Sequence, residues 1–161
     1  HEFGHHFAGL GDEYYTSSVA YEDFHGERVE PWEPNITALH DPEALKWADL
    51  VEAETPLPTP WKKKAFEEAS HAFQQRRREL RQAGAPEEEM EELFREVQDH
   101  FTRTLGDEEY AGKTGAFEGA SYQPTGLYRP QADCIMFTRD EVGFCPVCSR
   151  AIERVMDLYS E

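Results

Sequence analysis

Two histidines four residues apart, His1 and His5, constrain this chain more than any other feature. Four helical steps of 100° return to within roughly 40° of the start, so on a helix both imidazoles project side by side. Residues 1–8 are therefore expected to be helical, and Gly9 and Gly11 to end the helix and turn the chain. Paired in this way, two imidazoles can bind one ion at about 2.0–2.1 Å. Glu2 stands next to the first histidine, where its carboxylate can reach a water on the ion without ligating the ion itself. Zinc lowers the pKa of such a water towards roughly 7, and Glu2 is then placed to act as general base. The bland alternative is a five-residue match on an ordinary surface helix.

A reactive zinc needs a third protein ligand and one open position. Gly9-Leu10-Gly11-Asp12-Glu13-Tyr14 supplies a helix stop followed by two carboxylates. Asp12 lies three residues after Gly9 and seven after His5, and is the favoured third ligand. Glu13 competes for that role, and Asp12 could instead cap the next turn. His6 points about 140° away from His1 on a regular helix, so His5 is preferred over it.

The rest of the chain divides by pattern. From Asp12 to about Pro60 it is rich in proline, acidic residues and aromatics without a clear period, and reads as long irregular loop. Trp61, Ala65, Phe66, Ala69, Phe73 and Leu80 then fall on one helical stripe, and Met90, Leu93, Phe94, Val97, Phe101 and Leu105 on a second. Gly84 and Pro86 lie between them, which predicts an antiparallel helical hairpin over 61–105. Residues 106–145 return to loop character. A last helix is expected from about Pro146 to Tyr159, burying Cys148, Ala151, Ile152, Val155 and Leu158. The fold class is thus mainly α with long irregular loops.

With 33 acidic residues against 16 basic ones the formal charge is −17, and such a surface repels phosphate. Nucleic acid and anionic membranes are poor partners. No apolar run approaches the roughly 18–20 residues that span a bilayer. Arg76-Arg77-Arg78 reads as the solvated face of a charged helix.

His1-Glu2-Phe3-Gly4-His5 followed by Ala8-Gly9-Leu10-Gly11-Asp12-Glu13-Tyr14 resembles the opening of the IgA metallopeptidase family. Further stretches are similar to that family: Glu33-Pro34-Asn35-Ile36-Thr37, Gly115-Ala116-Phe117-Glu118-Gly119-Ala120, Gly126-Leu127-Tyr128-Arg129-Pro130 and Phe144-Cys145-Pro146-Val147-Cys148. The resemblance runs from residue 1 to about 159 and is least specific across the hairpin. It implies a zinc endopeptidase of metzincin-like type acting on protein or peptide substrates, with one catalytic zinc and a secreted or cell-envelope location. Residues 1–161 would then be one partial catalytic domain, the C-terminal part of an α+β whole, with 61–105 an inserted hairpin. In metzincins the pattern HExxHxxGxxH brings a final histidine to the metal; here Asp12 replaces it, with one residue inserted. By the same resemblance Met136, in Cys134-Ile135-Met136, is the methionine of a tight turn beneath the ligands, against the commoner alternative of an ordinary core methionine.

Three cysteines remain: Cys134, Cys145 and Cys148. Without a fourth, an all-cysteine metal site cannot form within the chain. A second metal held by three cysteines and a histidine, or a disulfide with one free thiol, are the alternatives. Tyr122, Tyr128 and Arg129 are candidate oxyanion or substrate contacts, with packing as the plainer role for each. Asn35-Ile36-Thr37 fits a glycosylation sequon or a simple turn. Two non-catalytic functions compete with the peptidase: a module stapled by its zinc, and an interaction domain built on the acidic hairpin.

Overall fold

The computed structural model describes residues 1–16, 28–138 and 142–160. Part of the loop expected after Asp12, residues 17–27, therefore lies outside the described residues. Helices dominate, with one small two-stranded sheet.

Helix α1 spans Glu2–Ala8, with His1 as its N-cap. Gly9 closes it in the left-handed conformation (φ 62°), and its N–H together with that of Leu10 returns to the carbonyls of His5 and Gly4. Among the described residues that follow, up to Lys62, the chain is irregular apart from short 3-10 turns at Pro42–Ala44 and Ala48–Leu50. It is held by side chains rather than by a ladder. Lys46 Nζ donates to the carbonyls of Pro31, Glu33 and Ile36 and pairs with Glu30, gathering residues 30–36 around one ammonium group.

Helices α2 (Lys63–Ala83) and α3 (Glu87–Gly106) form the expected hairpin. Trp61 stays outside α2, and its indole N–H donates to the Glu118 carbonyl at 3.1 Å. Most of the hairpin is exposed; its apolar stripe meets the body through an aromatic chain. Phe66 lies 4.7 Å from Phe101 and 5.1 Å from Phe137, ring centre to ring centre, and Phe73 lies 5.9 Å from Phe101.

The segment expected to be loop contains the sheet: β1 (Phe117–Ala120) and β2 (Gln123–Arg129) pair antiparallel. Its strands were hidden by glycines that serve special backbone positions, Gly119 at a bulge with φ 105° and Gly126 with φ 76°. The connecting residues Ser121 and Tyr122 both have positive φ, 50° and 61°, as a two-residue hairpin turn requires. Non-glycine residues rarely adopt this conformation, and the two N–H groups show what holds them there: Ser121 donates to Asp12 O at 2.9 Å and Tyr122 to Tyr14 O at 3.0 Å. Single bridges extend the sheet on both sides, Thr37 to Tyr128 and Thr59 to Phe117.

Helix α4 (Pro146–Asp157) starts on Pro146 as expected but ends before Leu158, which is 78 % exposed rather than buried. Its buried face, Val147, Cys148 and Ala151, joins Leu10, Trp47 and Met136 in the core beneath α1.

Candidate metal centre

The site begins with the packing of α1. A Cβ on Gly4 would meet Met136 Sδ and Leu10 Cδ1 at 2.9 Å each, so only glycine lets this helix lie directly on the methionine. Met136 is fully buried in a tight turn, where the N–H groups of Phe137 and Thr138 both reach the Cys134 carbonyl. Its own carbonyl accepts from Glu13 N–H at 2.9 Å. Met136 therefore touches the helix that carries the histidines and, through its backbone, the loop that carries the carboxylates.

On the other face of α1 the rings of His1 and His5 stand edge to face, 4.6 Å between centres. Asp12 joins them: its Oδ1 lies 2.9 Å from His5 Nε2 and 3.3 Å from His1 Nε2. Three potential ligand atoms thus converge on partly buried residues that still reach solvent.

The hydrogen bonding of His5 decides what this cluster can hold. His5 Nδ1 lies 2.6 Å from the Leu10 carbonyl, which can only accept, so the ring proton is on Nδ1. In the neutral ring Nε2 then presents a lone pair towards Asp12 Oδ1, an oxygen shielded from solvent that accepts no hydrogen bond. Two acceptors at this distance are satisfied by a cation between them, a proton on Nε2 or a metal ion. Ligands at about 2.0–2.1 Å around a tetrahedral ion lie roughly 3.3 Å apart, close to the 2.9 and 3.3 Å found here. The residues present fit a divalent metal.

Around the cluster stands a supporting layer that the sequence did not reveal. Tyr122 donates to Asp12 Oδ2 at 2.8 Å and is itself 2.6 Å from the Tyr14 hydroxyl, while the Tyr14 ring lies nearly parallel to that of His1. These contacts fix the Asp12 carboxylate, and the Tyr14 bond, burial and Asp12 together push the Tyr122 hydroxyl well above its ordinary pKa. Tyr122 therefore stays a neutral donor. Asn35, read as a sequon or turn, is fully buried: it bonds both the N–H and the carbonyl of Gly11 and donates to Glu13 Oε1 at 2.9 Å. Its side chain clamps the turn between Gly9 and the carboxylates.

Glu2 is exposed, with its carboxylate 3.4 Å from His1 Nδ1. The two carboxylates that competed for the third position part company. Asp12 faces the histidines, whereas Glu13 turns inward to the three cysteines, and its Oε1 accepts from Cys148 at 3.3 Å. All three cysteines are free thiols, and among the described residues the fourth group beside them is this glutamate rather than a histidine. Burial raises the Glu13 pKa well above the ordinary carboxylate value. The thiols of Cys145 and Cys148, by contrast, push Cys134 down to about 3.

Arg129 is also a core residue here. Its guanidinium is fully buried, donates to the carbonyls of Glu118, Gly119 and Ala132, and stacks over Phe137 at 3.7 Å and Trp61 at 4.3 Å. Burial lowers its pKa to about 10, which leaves it charged at neutral pH. Tyr128 sits one residue earlier on β2, half-buried opposite Glu118. The structure thus brings His1, His5, Asp12 and Tyr122 together and places Arg129 within the core.

A family model described as IgA Peptidase M64 matches residues 1–156. The chain belongs to this peptidase family. Its members are metallopeptidases, so a metal ion and protein substrates follow at the level of the family. No curated protein matches the chain. No helix among the described residues is long and apolar enough to cross a membrane.

Proposed function

We propose that the protein is a zinc-dependent metalloendopeptidase of metzincin-like type, with His1, His5 and Asp12 as the metal ligands and Glu2 as the general base. The observation that carries this reading is the inward-facing set of lone pairs on His1, His5 and Asp12, fixed from behind by the Leu10 carbonyl and the Tyr122 hydroxyl. Bound there, zinc would supply Lewis acidity to a water and to the scissile carbonyl.

The chain's own groups account for the remaining steps. Glu2, exposed beside His1, takes the proton of the attacking water and returns it to the leaving amine as the peptide bond breaks. Asp12 stays oriented because its second oxygen accepts from Tyr122. Met136 supports α1 from below as the proposed Met-turn residue, since its sulfur lies where a Gly4 side chain would be. Residues 1–161 are proposed as one partial catalytic domain with 61–105 as an insertion, and the place of action as outside the cell or at its envelope.

The test is Glu2→Gln in the intact protein. Zinc content should stay at the wild-type level while kcat for peptide hydrolysis falls by about 10³-fold, within the range for loss of a general base. Wild-type turnover in this variant would remove Glu2 from the reaction. Zinc bound without hydrolysis in the wild type would instead favour a non-catalytic stapled module.

A further inference from the structure

The second cluster has no part in the chemistry above, and its composition is hard to explain without a cation. Glu13 is completely buried beside three thiols; its Oε1 accepts from Asn35 and Cys148, but its Oε2 has no hydrogen-bond partner. A buried carboxylate oxygen left without a partner is strongly disfavoured, and beside three thiols a shared cation would satisfy it. We propose that Glu13, Cys134, Cys145 and Cys148 form a second, closed zinc site that is structural rather than catalytic.

The geometry is that of a tetrahedral cage. One ligand atom from each residue lies within 4.8 Å of every other. Zinc–sulfur bonds of about 2.3 Å set tetrahedral sulfur–sulfur edges of roughly 3.8 Å, and a carboxylate oxygen at about 2.1 Å shortens the mixed edge to roughly 3.6 Å. The Cys134–Cys148 sulfur separation is 3.9 Å and the Cys148–Glu13 separation 3.3 Å. With four protein ligands and all four residues buried, there is no open position and no route for substrate, which marks a structural site.

The surroundings suit a metal held by thiolates. Cys145 is the N-cap of α4 and Cys148 lies in its first turn, where the helix's positive end favours negative sulfur. Cys145 N–H points to Cys134 Sγ at 3.4 Å. Three thiolates and a carboxylate carry four negative charges, of which zinc would offset two. The buried guanidinium of Arg129, which interacts electrostatically with both Glu13 and Cys134, offsets a third.

The site would join three segments with little secondary structure of their own: the Asp12–Tyr14 loop, the Met136 turn and the start of α4. Glu13 follows Asp12 directly, so the second ion would anchor the loop that presents the third ligand of the first.

Cobalt substitution in the intact protein, kept reduced, distinguishes the two sites. The His1, His5 and Asp12 set contains no sulfur, so a sulfur-to-cobalt charge-transfer band in the near ultraviolet reports the second site alone. Wild type should bind two equivalents of cobalt and show the band, and the double variant His1→Ala/His5→Ala should keep one equivalent with the band intact. Glu13→Gln should weaken that equivalent by on the order of 10²-fold, as expected for loss of one of four ligands from a structural zinc site. Should this variant fail to fold, the wild-type spectrum still decides. Absence of the band in cobalt-loaded wild type, or a native disulfide between any two of the cysteines, overturns the proposal. Hydrolysis without a sulfur-bound ion would remove the second site only, and a sulfur-bound ion without hydrolysis would remove only the peptidase reading.

Discussion

Asp12 and Glu13 are adjacent and chemically alike, yet they face opposite ways into different surroundings. The Asp12 side chain is 18 % exposed and meets two imidazoles at the surface, while Glu13 is fully buried among three thiols. Burial decides what each region can do. A cluster open to solvent can admit a water and a peptide, whereas a sealed one can only hold its neighbours in place. The two are nevertheless built as one unit. Asn35 bonds Gly11 and Glu13, the Ser121 and Tyr122 N–H groups hold Asp12 and Tyr14, and the Met136 carbonyl holds Glu13. Successive side chains of this loop point to opposite sides, Asp12 to the two histidines and Glu13 to the three cysteines.

The largest effect expected on this contrast comes from Arg129. Arg129→Met keeps the bulk over Phe137 and Trp61 but removes the buried charge beside Glu13. Breaking a buried charge arrangement from one side typically costs about 3–5 kcal/mol, which chemical denaturation would register. Wild-type stability in this variant would mean that the inner cluster needs no counter-charge. Next comes Tyr122→Phe, which deletes the donor to Asp12 Oδ2 and leaves the inner cluster untouched. Affinity for the outer ion should fall about 10–100-fold, as for other partners of metal ligands, with the sulfur-bound ion unchanged in a competition titration. Loss of both ions together would erase the distinction between the clusters. The smallest effect is that of Gly4→Ala. Crowding against Met136 Sδ and Leu10 Cδ1 costs about 1–3 kcal/mol, partly offset by the roughly 1 kcal/mol that alanine contributes to helix propensity. A net loss near 1 kcal/mol, with zinc content retained, is expected from thermal melts.

The outer cluster was largely legible from the sequence, because helical spacing alone places His1 and His5 together and a glycine stop brings a carboxylate back. The helical hairpin was equally legible, since its apolar stripes repeat at the helical period around Gly84 and Pro86. The supporting residues were not. Tyr122 reaches Asp12 across 110 residues of chain, and Asn35 reaches Glu13 across 22, contacts that leave no local pattern. The β1–β2 hairpin was missed because its turn uses Ser121 and Tyr122 at positive φ, where Asn-Gly or Asp-Gly would have announced it. For Arg129 the sequence leaves a substrate contact and the plainer packing role both open, and only the fold shows the three carbonyls and two aromatic rings that accommodate it in the core. The same distance in sequence concealed Glu13: nothing near Cys134, Cys145 or Cys148 indicates that their fourth neighbour comes from the loop after α1.

Anomalous diffraction at the zinc absorption edge, from crystals of the zinc-loaded protein, tests the central claim most directly. The account predicts an ion about 2.0–2.1 Å from His1 Nε2, His5 Nε2 and Asp12 Oδ1, with solvent on its remaining side. An empty outer cluster at full zinc loading, or an ion there with Asp12 rotated away, would contradict it.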